Sequence, residues 1–456
     1  MPKNLEGILT MEVINKKSVS YPYLETPLSV YTFDNGFSTI FAHKKSPIIN
    51  ISSWVKTGSI NENSKNNGVS HFVEHLLFKG TTKYAAGVFD KTMERLGGII
   101  NAATWKDYTF FYINIPKEHQ KIALEMHADM MCDALFPENE IGSAFNPEGA
   151  APKDKRERYV VIEEIKMGED NNWRKVYKNL NASMYSNHPY KREVIGTRQI
   201  IANISQKEIM RYYKTFYTPQ NITTIVAGEF DEEEMLNLIK NNFVFKKSDL
   251  EPCTTDEYEI ETKIKNPKTV IDYSDVNTGY IMIGSLCDSA RNLKETIALD
   301  LLSTILGDGK SSRLYSELIE KPDNPYFYQV ESCHYQFKDG DNFFIEANFD
   351  ADKKDLVIED LKLQLKSLEK IEEKEFIKAK KRAKVNFVQD TELVADIADS
   401  IGYWVSVCDD ITLADKYIST LEEINCAYLE EIAKKYLNPD FSGISLLLPS
   451  SFKEEN

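Results

Sequence analysis

Apolar and polar positions alternate in several short runs between residues 20 and 116, the pattern of strands that bury one face. Leu28-Ser29-Val30-Tyr31-Thr32-Phe33 alternates, Asp34-Asn35-Gly36 is a hairpin turn signal, and Ser38–Ala42 pairs back. Ile48–Val55 extends the sheet, and Ile99–Thr104 with Tyr108–Ile115 adds two more strands. Helical spacing interrupts these runs three times. It covers Gly68–Phe78, then Ala85–Leu96 up to the stop Gly97-Gly98, then a long stretch opened by Pro116 that runs from Glu118 to Leu135. Residues 142–155 are rich in Gly, Pro and Ala and predict a surface loop, followed by a charged helix over Lys155–Ile165.

The same grammar occurs twice. Tyr213–Gly228 and Ala433–Leu448 each read as a helix end, a proline turn and a buried strand. The polar segment after Phe245, with Pro252 and Pro267, reads as a linker. The expected division is therefore 1–244, a linker 245–268, and a homologous second half 269–456.

Composition narrows the function classes. With 456 residues, 42% apolar and 28% charged, the chain reads as globular, with length for large cores. Its net charge of −16 and lack of a basic stripe decide against nucleic acid; the charge would steer basic or neutral polypeptides and is equally ordinary solubility charge. No apolar run reaches membrane-span length, and Met1–Gly7 has no signal-peptide core, so a cytoplasmic protein without a membrane anchor is expected. Six cysteines without a C-x-x-C pair predict reduced thiols, neither a disulfide frame nor a sulfur-bound metal.

The chemistry concentrates in Gly68-Val69-Ser70-His71-Phe72-Val73-Glu74-His75-Leu76-Leu77-Phe78. His71 and His75 lie one helical turn apart on one face, and Glu74 joins them there. Two imidazoles at this pitch can hold one zinc ion with the carboxylate beside it, the H-x-x-E-H arrangement. Ser70 is the expected helix cap, and the apolar flank anchors the far side. Downstream, Glu157 and Glu164 are seven apart and share a helix face, a candidate third ligand with a neighbour, although the segment also reads as a solvated charged helix. His127 has no partner at metal spacing and reads as a structural histidine.

Taken together, these residues resemble the M16 family of zinc metallopeptidases, which includes pitrilysin, insulin-degrading enzyme and the mitochondrial processing peptidase. The resemblance is densest in residues 68–81, 97–112, 156–165, 188–190 with 195–196, and 311–315. It implies an α+β protein of two homologous α/β-roll domains, each an antiparallel-rich sheet packed by helices. It further implies one zinc ion on His71, His75 and Glu164, with Glu74 as general base and Glu157 orienting the site. Asn101, Ala102 and Ala103 match the family's edge strand, to which an extended substrate adds through backbone hydrogen bonds. The implied activity is that of a zinc endopeptidase acting on short unfolded peptides, such as signal, targeting or precursor peptides, within an enclosed chamber.

The pattern departs from the family at two places. His75 and Glu164 are 89 residues apart, longer than the family spacing, and the excess is the loop at 142–155. Ile319 stands where an arginine that holds substrate is expected, and either Tyr326 or Tyr328 fills the companion tyrosine position. An aliphatic side chain cannot donate the arginine's hydrogen bonds. The family's two-chain branch divides these parts between subunits, so the resemblance implies a zinc-bearing subunit whose partner supplies an Arg/Tyr pair, with a homodimer as the other arrangement. The competing expectation is a non-catalytic scaffold or peptide-binding subunit of the same fold.

Overall fold

Strand periodicity over residues 20–116 becomes one sheet whose two central strands are covered on both faces. A computed structural model describes residues 11–150, 152–323 and 325–453. The N-terminal segment Met1–Gly7, Ala151 in the loop at 142–155, and Asn324 after the 311–315 motif lie outside the described residues.

The chain forms two units. The first takes residues up to Lys166, Glu193–Asp256 and Val388–Asp415; the second takes Met167–Arg192, Glu257–Phe387 and the residues from Lys416 on. The expected cut into 1–244 and 269–456 does not coincide with these units, because each half by sequence contributes one helix to the other unit's sheet. Nor is 245–268 a free linker. Arg211 bonds the Glu251 and Pro252 carbonyls in the first unit, while Glu261 accepts the Ser186, Asn187 and His188 amides, all at 2.9 Å, in the second.

In the first unit the strands are β1 (Val13–Val19), β2 (Leu28–Phe33), β3 (Ser38–His43), β4 (Ile48–Val55), β5 (Ile99–Thr104), β6 (Thr109–Pro116) and β7 (Ile222–Gly228). They pair in the order β1-β2-β3-β7-β4-β6-β5, antiparallel except for β3 with β7. The helices are α1 (Val69–Leu77), α2 (Val88–Arg95), α3 (Gln120–Asp133), the short α4 (Glu138–Ile141) and α5 (Glu157–Glu169), whose last turn passes into the second unit. Ser53 and Trp54 show how β4 is covered. On one face His127 of α3 meets Ser53, Nε2 to Oγ, at 2.8 Å. On the other, Gly402 of the helix Val394–Ser406 lies so close to Trp54 that a Cβ would come within 1.9 Å of the indole. Successive residues of a strand point to opposite faces, so the two helices sandwich it. His127 is fully buried, which pushes its pKa down to about 3 and leaves a neutral structural imidazole.

The second unit carries β8 (Thr269–Ser274), β9 (Gly279–Leu286), β10 (Phe327–Tyr335), β11 (Asn342–Phe349) and β12 (Gly443–Pro449), in the order β10-β11-β9-β12-β8. Only β12 with β8 is parallel. Position for position this repeats β5-β6-β4-β7-β3, so the two sheets share one topology. Here α6 (Asn172–Met184), from the first half by sequence, covers β9 and β12. Gly284 and Gly443 permit that approach, since a Cβ on Gly443 would stand 2.4 Å from the Ser183 hydroxyl. The fold is thus α+β with two antiparallel-rich sheets. All six cysteines are free, and no described helix is long and apolar enough to cross a membrane.

A buried charge cluster ties β10 to the second unit's core. His334 places Nδ1 2.7 Å from Asp300 Oδ1 and Nε2 3.1 Å from Asp341 Oδ2, and Asp341 also accepts the Phe337 amide. Burial opposes the imidazolium, but the two carboxylates hold its pKa up to about 10. Against an unfolded value of about 6.5, this stabilisation is complete below that pH and is lost as pH rises toward the folded value. Thermal midpoints should therefore fall between pH 7 and 10 in the wild-type protein. His334→Gln should start lower at pH 7 and fall less, and parallel slopes in the two proteins would refute this assignment.

Candidate metal centre

Helix α1 places the central motif, and a carboxylate that the local sequence does not advertise holds its first turn. The apolar residues Val69, Phe72, Val73, Leu76 and Leu77 are all buried in the core, which leaves His71, Glu74 and His75 for the opposite side. Ser70 is not the cap. The N-cap is Gly68, at φ +96°, where a Cβ would meet the Ile195 carbonyl at 2.5 Å. The free amides go instead to Glu62, which is fully buried. It accepts from the Gly68 and Ser70 amides, both at 2.8 Å, from Asn67 Nδ2 at 2.7 Å and from the Ser70 hydroxyl. A carboxylate can take several donors at once and its charge suits a helix N-terminus, so it replaces the serine that sequence rules favour. Burial pushes the Glu62 carboxyl above its usual range, and these hydrogen bonds offset part of that. In the sequence Glu62 sits in a polar loop, and its role depends on the Asn66–Gly68 turn folding back over it.

Helix α5 is braced by another buried charge. Arg158 donates Nε to the Gly142 carbonyl at 3.0 Å and Nη2 to the Ile204 carbonyl at 2.8 Å, with Nη1 on Ile201 O. Its guanidinium lies over the Phe72 ring, 5.7 Å from the centroid, so it also touches α1. The two helices that carry the candidate ligands are thereby fixed against each other.

Three side chains converge between them. His71 Nε2 lies 3.7 Å from Glu164 Oε1, and His75 Nε2 lies 3.5 Å from Glu164 Oε2. One donor atom from each residue falls within 4.8 Å of the other two, the cluster among the described residues with spacing for a metal ion. Zinc with nitrogen donors at roughly 2.0–2.1 Å has tetrahedral edges of about 3.3 Å, so these separations suit it closely. The donor set of two imidazoles and one carboxylate also leaves a fourth position open. His75 turns its other nitrogen, Nδ1, to Glu157 Oε2 at 3.2 Å, and Lys79 holds the second Glu157 oxygen at 2.7 Å. Burial opposes charge on His75, but Glu157 and Glu164 push its pKa up to about 9. Against its own burial, the bonds to His75 and Lys79 keep the Glu157 carboxyl low.

Glu74 faces the same cleft, which measures about 670 Å³ and is also bordered by Phe78, Asp90, Ile100, Asn101 and Ala102. Its Oε2 accepts the Thr104 hydroxyl at 2.5 Å, tying it to the end of β5. Burial raises the Glu74 carboxyl above the usual range, and the Thr104 bond only partly offsets this. β5 is the last strand of its sheet, so the edge that carries Asn101, Ala102 and Ala103 has no partner strand among the described residues. Asn101 and Ala103 are exposed, and Ala103 does not border the cleft. Tyr326 and Tyr328 belong to the second unit, at the start of β10, where their hydroxyls bond Asp360 and Asp350 respectively. Ile319 lies half-buried in a π-helical turn over Ser316–Glu320.

An α+β chain of two matching sheets, one of them presenting a His/His/Glu cluster beside a buried glutamate, has the make-up of a metallohydrolase. Comparison with known proteins gives the family. Residues 39–198 match the family described as Insulinase (Peptidase family M16), and residues 203–383 match the Peptidase M16 inactive domain. The chain belongs to the M16 peptidase family, as its motifs resemble. It is 29% identical over 425 residues to the zinc protease PqqE of Helicobacter pylori, covering 92% of each chain. It is also 31% identical over 234 residues to the human mitochondrial-processing peptidase subunit beta, across 51% of this chain and 43% of that protein. The crystal structure of a protease from Helicobacter pylori superposes with a TM-score of 0.82 at 26% identity, covering 92% of this chain and 99% of the other.

Glu62→Ala should unfold the first turn of α1, because it strands buried amide donors that nothing else reaches. The expected loss is about 3 kcal/mol or more, read from urea unfolding. A loss below about 1 kcal/mol would show that water or a local shift replaces the carboxylate.

Proposed function

We propose that this chain is a zinc-dependent endopeptidase that cleaves short unfolded peptides in the cytoplasm. The observation that carries this reading is the convergence of His71, His75 and Glu164 in a cleft that Glu74 also faces. His71 and His75, through Nε2, and a Glu164 carboxylate oxygen would hold one zinc ion per chain. When bound, zinc polarises the scissile carbonyl and acidifies water at the open fourth position.

The rest of the work falls to the chain's own groups. Glu157 holds the Nδ1 proton of His75, so that Nε2 presents its lone pair to the centre. Glu74 accepts the proton of the attacking water; its raised pKa makes it a better base than an exposed carboxylate, and Thr104 fixes which oxygen is free. The open edge of β5 at Asn101, Ala102 and Ala103 takes an extended peptide as an added strand, a grip that reads backbone and so favours unfolded segments.

The chain also acts as the zinc-bearing subunit of a dimer that encloses the substrate. Arg313, the arginine nearest Ile319 in sequence, is committed to its own unit. It bonds both Glu375 oxygens, the Ser367 carbonyl and hydroxyl, and the Lys370 carbonyl. A substrate-holding arginine, with a tyrosine beside it, would then come from a second M16-like chain, either a different subunit or another copy. Tyr326 and Tyr328 are the positions this chain could offer to such a pair.

The test compares wild type with Glu74→Gln on a pool of unfolded peptides, with zinc content measured alongside. The variant should keep its zinc and lose at least about 100-fold in kcat. Equal cleavage by both proteins, or failure of the wild type to retain zinc, would overturn the reading. Glu157→Gln should weaken zinc binding by about 10–100-fold, measured by competition with a chelator.

A further inference from the structure

On the face of the first sheet away from α1, the helix Val394–Ser406 lies on β7 and β4, with Gly402 against Trp54. From Trp54 a row of rings runs outward toward the sheet edge. Trp54 stacks on Phe110 of β6, with centroids 4.4 Å apart and 13° between the planes, and Phe110 stacks on Tyr112 at 5.9 Å and 16°. Phe111, Ile113 and Ile115 alternate with these residues and are buried in the core, whereas Phe110 and Tyr112 are only half-buried.

The row stops at β6, because the residues beside it on β5 are small. Ala103 pairs with Phe110 and Asn101 with Tyr112, and both are exposed. Ile99, on the same face, is 65% exposed. The alternate residues turn the other way: Ile100 and Ala102 pack on the core, and Thr104 bonds Glu74.

One occupant meets both the open edge and the half-covered rings. A strand that pairs with β5 continues the pleat, so every second side chain falls on this outer face in line with the row. Its Cβ atoms would stand about 10 Å from those of β6, across β5. A large apolar side chain and the ring of Phe110 or Tyr112 can close that gap over Ala103 or Asn101. Such a side chain leaves water and gains a ring contact, whereas a charged one finds no counterion among Ile99, Ala103, Phe110 and Tyr112. A second copy of the chain resting flat on the rings would leave the β5 backbone unpaired; a pairing peptide uses both.

We infer that Phe110 and Tyr112 are specificity-determining residues, selecting peptides with a large apolar side chain, aromatic above all, on the strand face turned away from α1 and opposite Ala103. The inference rests on the reading that a substrate peptide adds to β5, and it names the class of substrate: extended segments with such a residue at a fixed offset from the cleaved bond.

Binding and cleavage test it separately. A single phenylalanine is walked along a labelled peptide of serine, threonine and alanine, and the parent peptide is the control. On zinc-loaded Glu74→Gln protein the phenylalanine peptides should bind about tenfold tighter than the parent. On wild type, moving the phenylalanine should move the cleaved bond with it, at a constant offset. Phe110→Ala, and separately Ala103→Phe, which fills the gap, should each cut the binding ratio to about twofold and abolish the constant offset. Ala103 is exposed, so its variant decides the matter should Phe110→Ala fail to fold. A preference that survives both substitutions, or none among peptides that are cleaved, overturns the assignment and leaves the peptidase reading intact. So does a change in self-association in the variants without a change in the binding ratio. Failure of the zinc-loaded wild type to cleave any peptide overturns both.

Discussion

The contact between His75 Nδ1 and Glu157 sets what the rest of the cleft can do. An imidazole has two nitrogens, and only one can face a metal; with Nδ1 turned to Glu157, Nε2 is the nitrogen left for the candidate centre. Without that contact the ring could turn, and the 3.5 Å approach of Nε2 to Glu164 would have no reason to persist. Lys79 completes the arrangement. By neutralising the far oxygen of Glu157 at 2.7 Å, it lets a carboxylate sit against a crowded group of acids without driving Glu164 away.

Such a contact is useful only if the helices carrying the two residues hold still, and here the buried charges matter. Glu62 fixes the start of α1 three residues before Glu74's helical turn begins to face the cleft, and Arg158 fixes α5 one residue after Glu157. Both are buried and both are paid in hydrogen bonds to backbone. Phe72 links them, with one face of α1 in the core and its ring under the Arg158 guanidinium.

This explains how far the sequence could be read. Strands β2 to β6 were legible almost to their ends, because half-buried strands alternate and the Asp34-Asn35-Gly36 turn punctuates them. β1 was not, since Val-Ile-Asn-Lys-Lys-Ser-Val is an exposed edge strand with no apolar rhythm. His71, Glu74 and His75 were legible as a group because helical pitch alone brings them together. Glu164 needed a fold to bring it near: helical spacing offered it with Glu157 only as a candidate, and the family resemblance singled it out. Glu62 was hidden for a different reason: capping rules look one residue before a helix, and this cap reaches back from six residues before Gly68. The exchange of α6 and Val394–Ser406 was hidden as well. Amphipathic spacing shows that a helix has a sheet to cover, but not which sheet.

The two units make the same point from the opposite side, since one topology carries two different interiors. In the first unit the first helix after β4 is α1, which turns His71, Glu74 and His75 away from the core. In the second, the corresponding helix after β9 is Leu293–Gly307, where Leu299, Leu301 and Leu302 are fully buried. Its Asp300 is spent on His334, which Asp341 holds from the other side. The two aspartates hold the His334 proton, so this cluster welds β10 to its helix. The difference between the units is therefore not whether charges are buried. In one unit a histidine sits between two aspartates; in the other, His71, His75 and Glu164 each bring one donor atom within 4.8 Å of the other two, and His75 also meets Glu157.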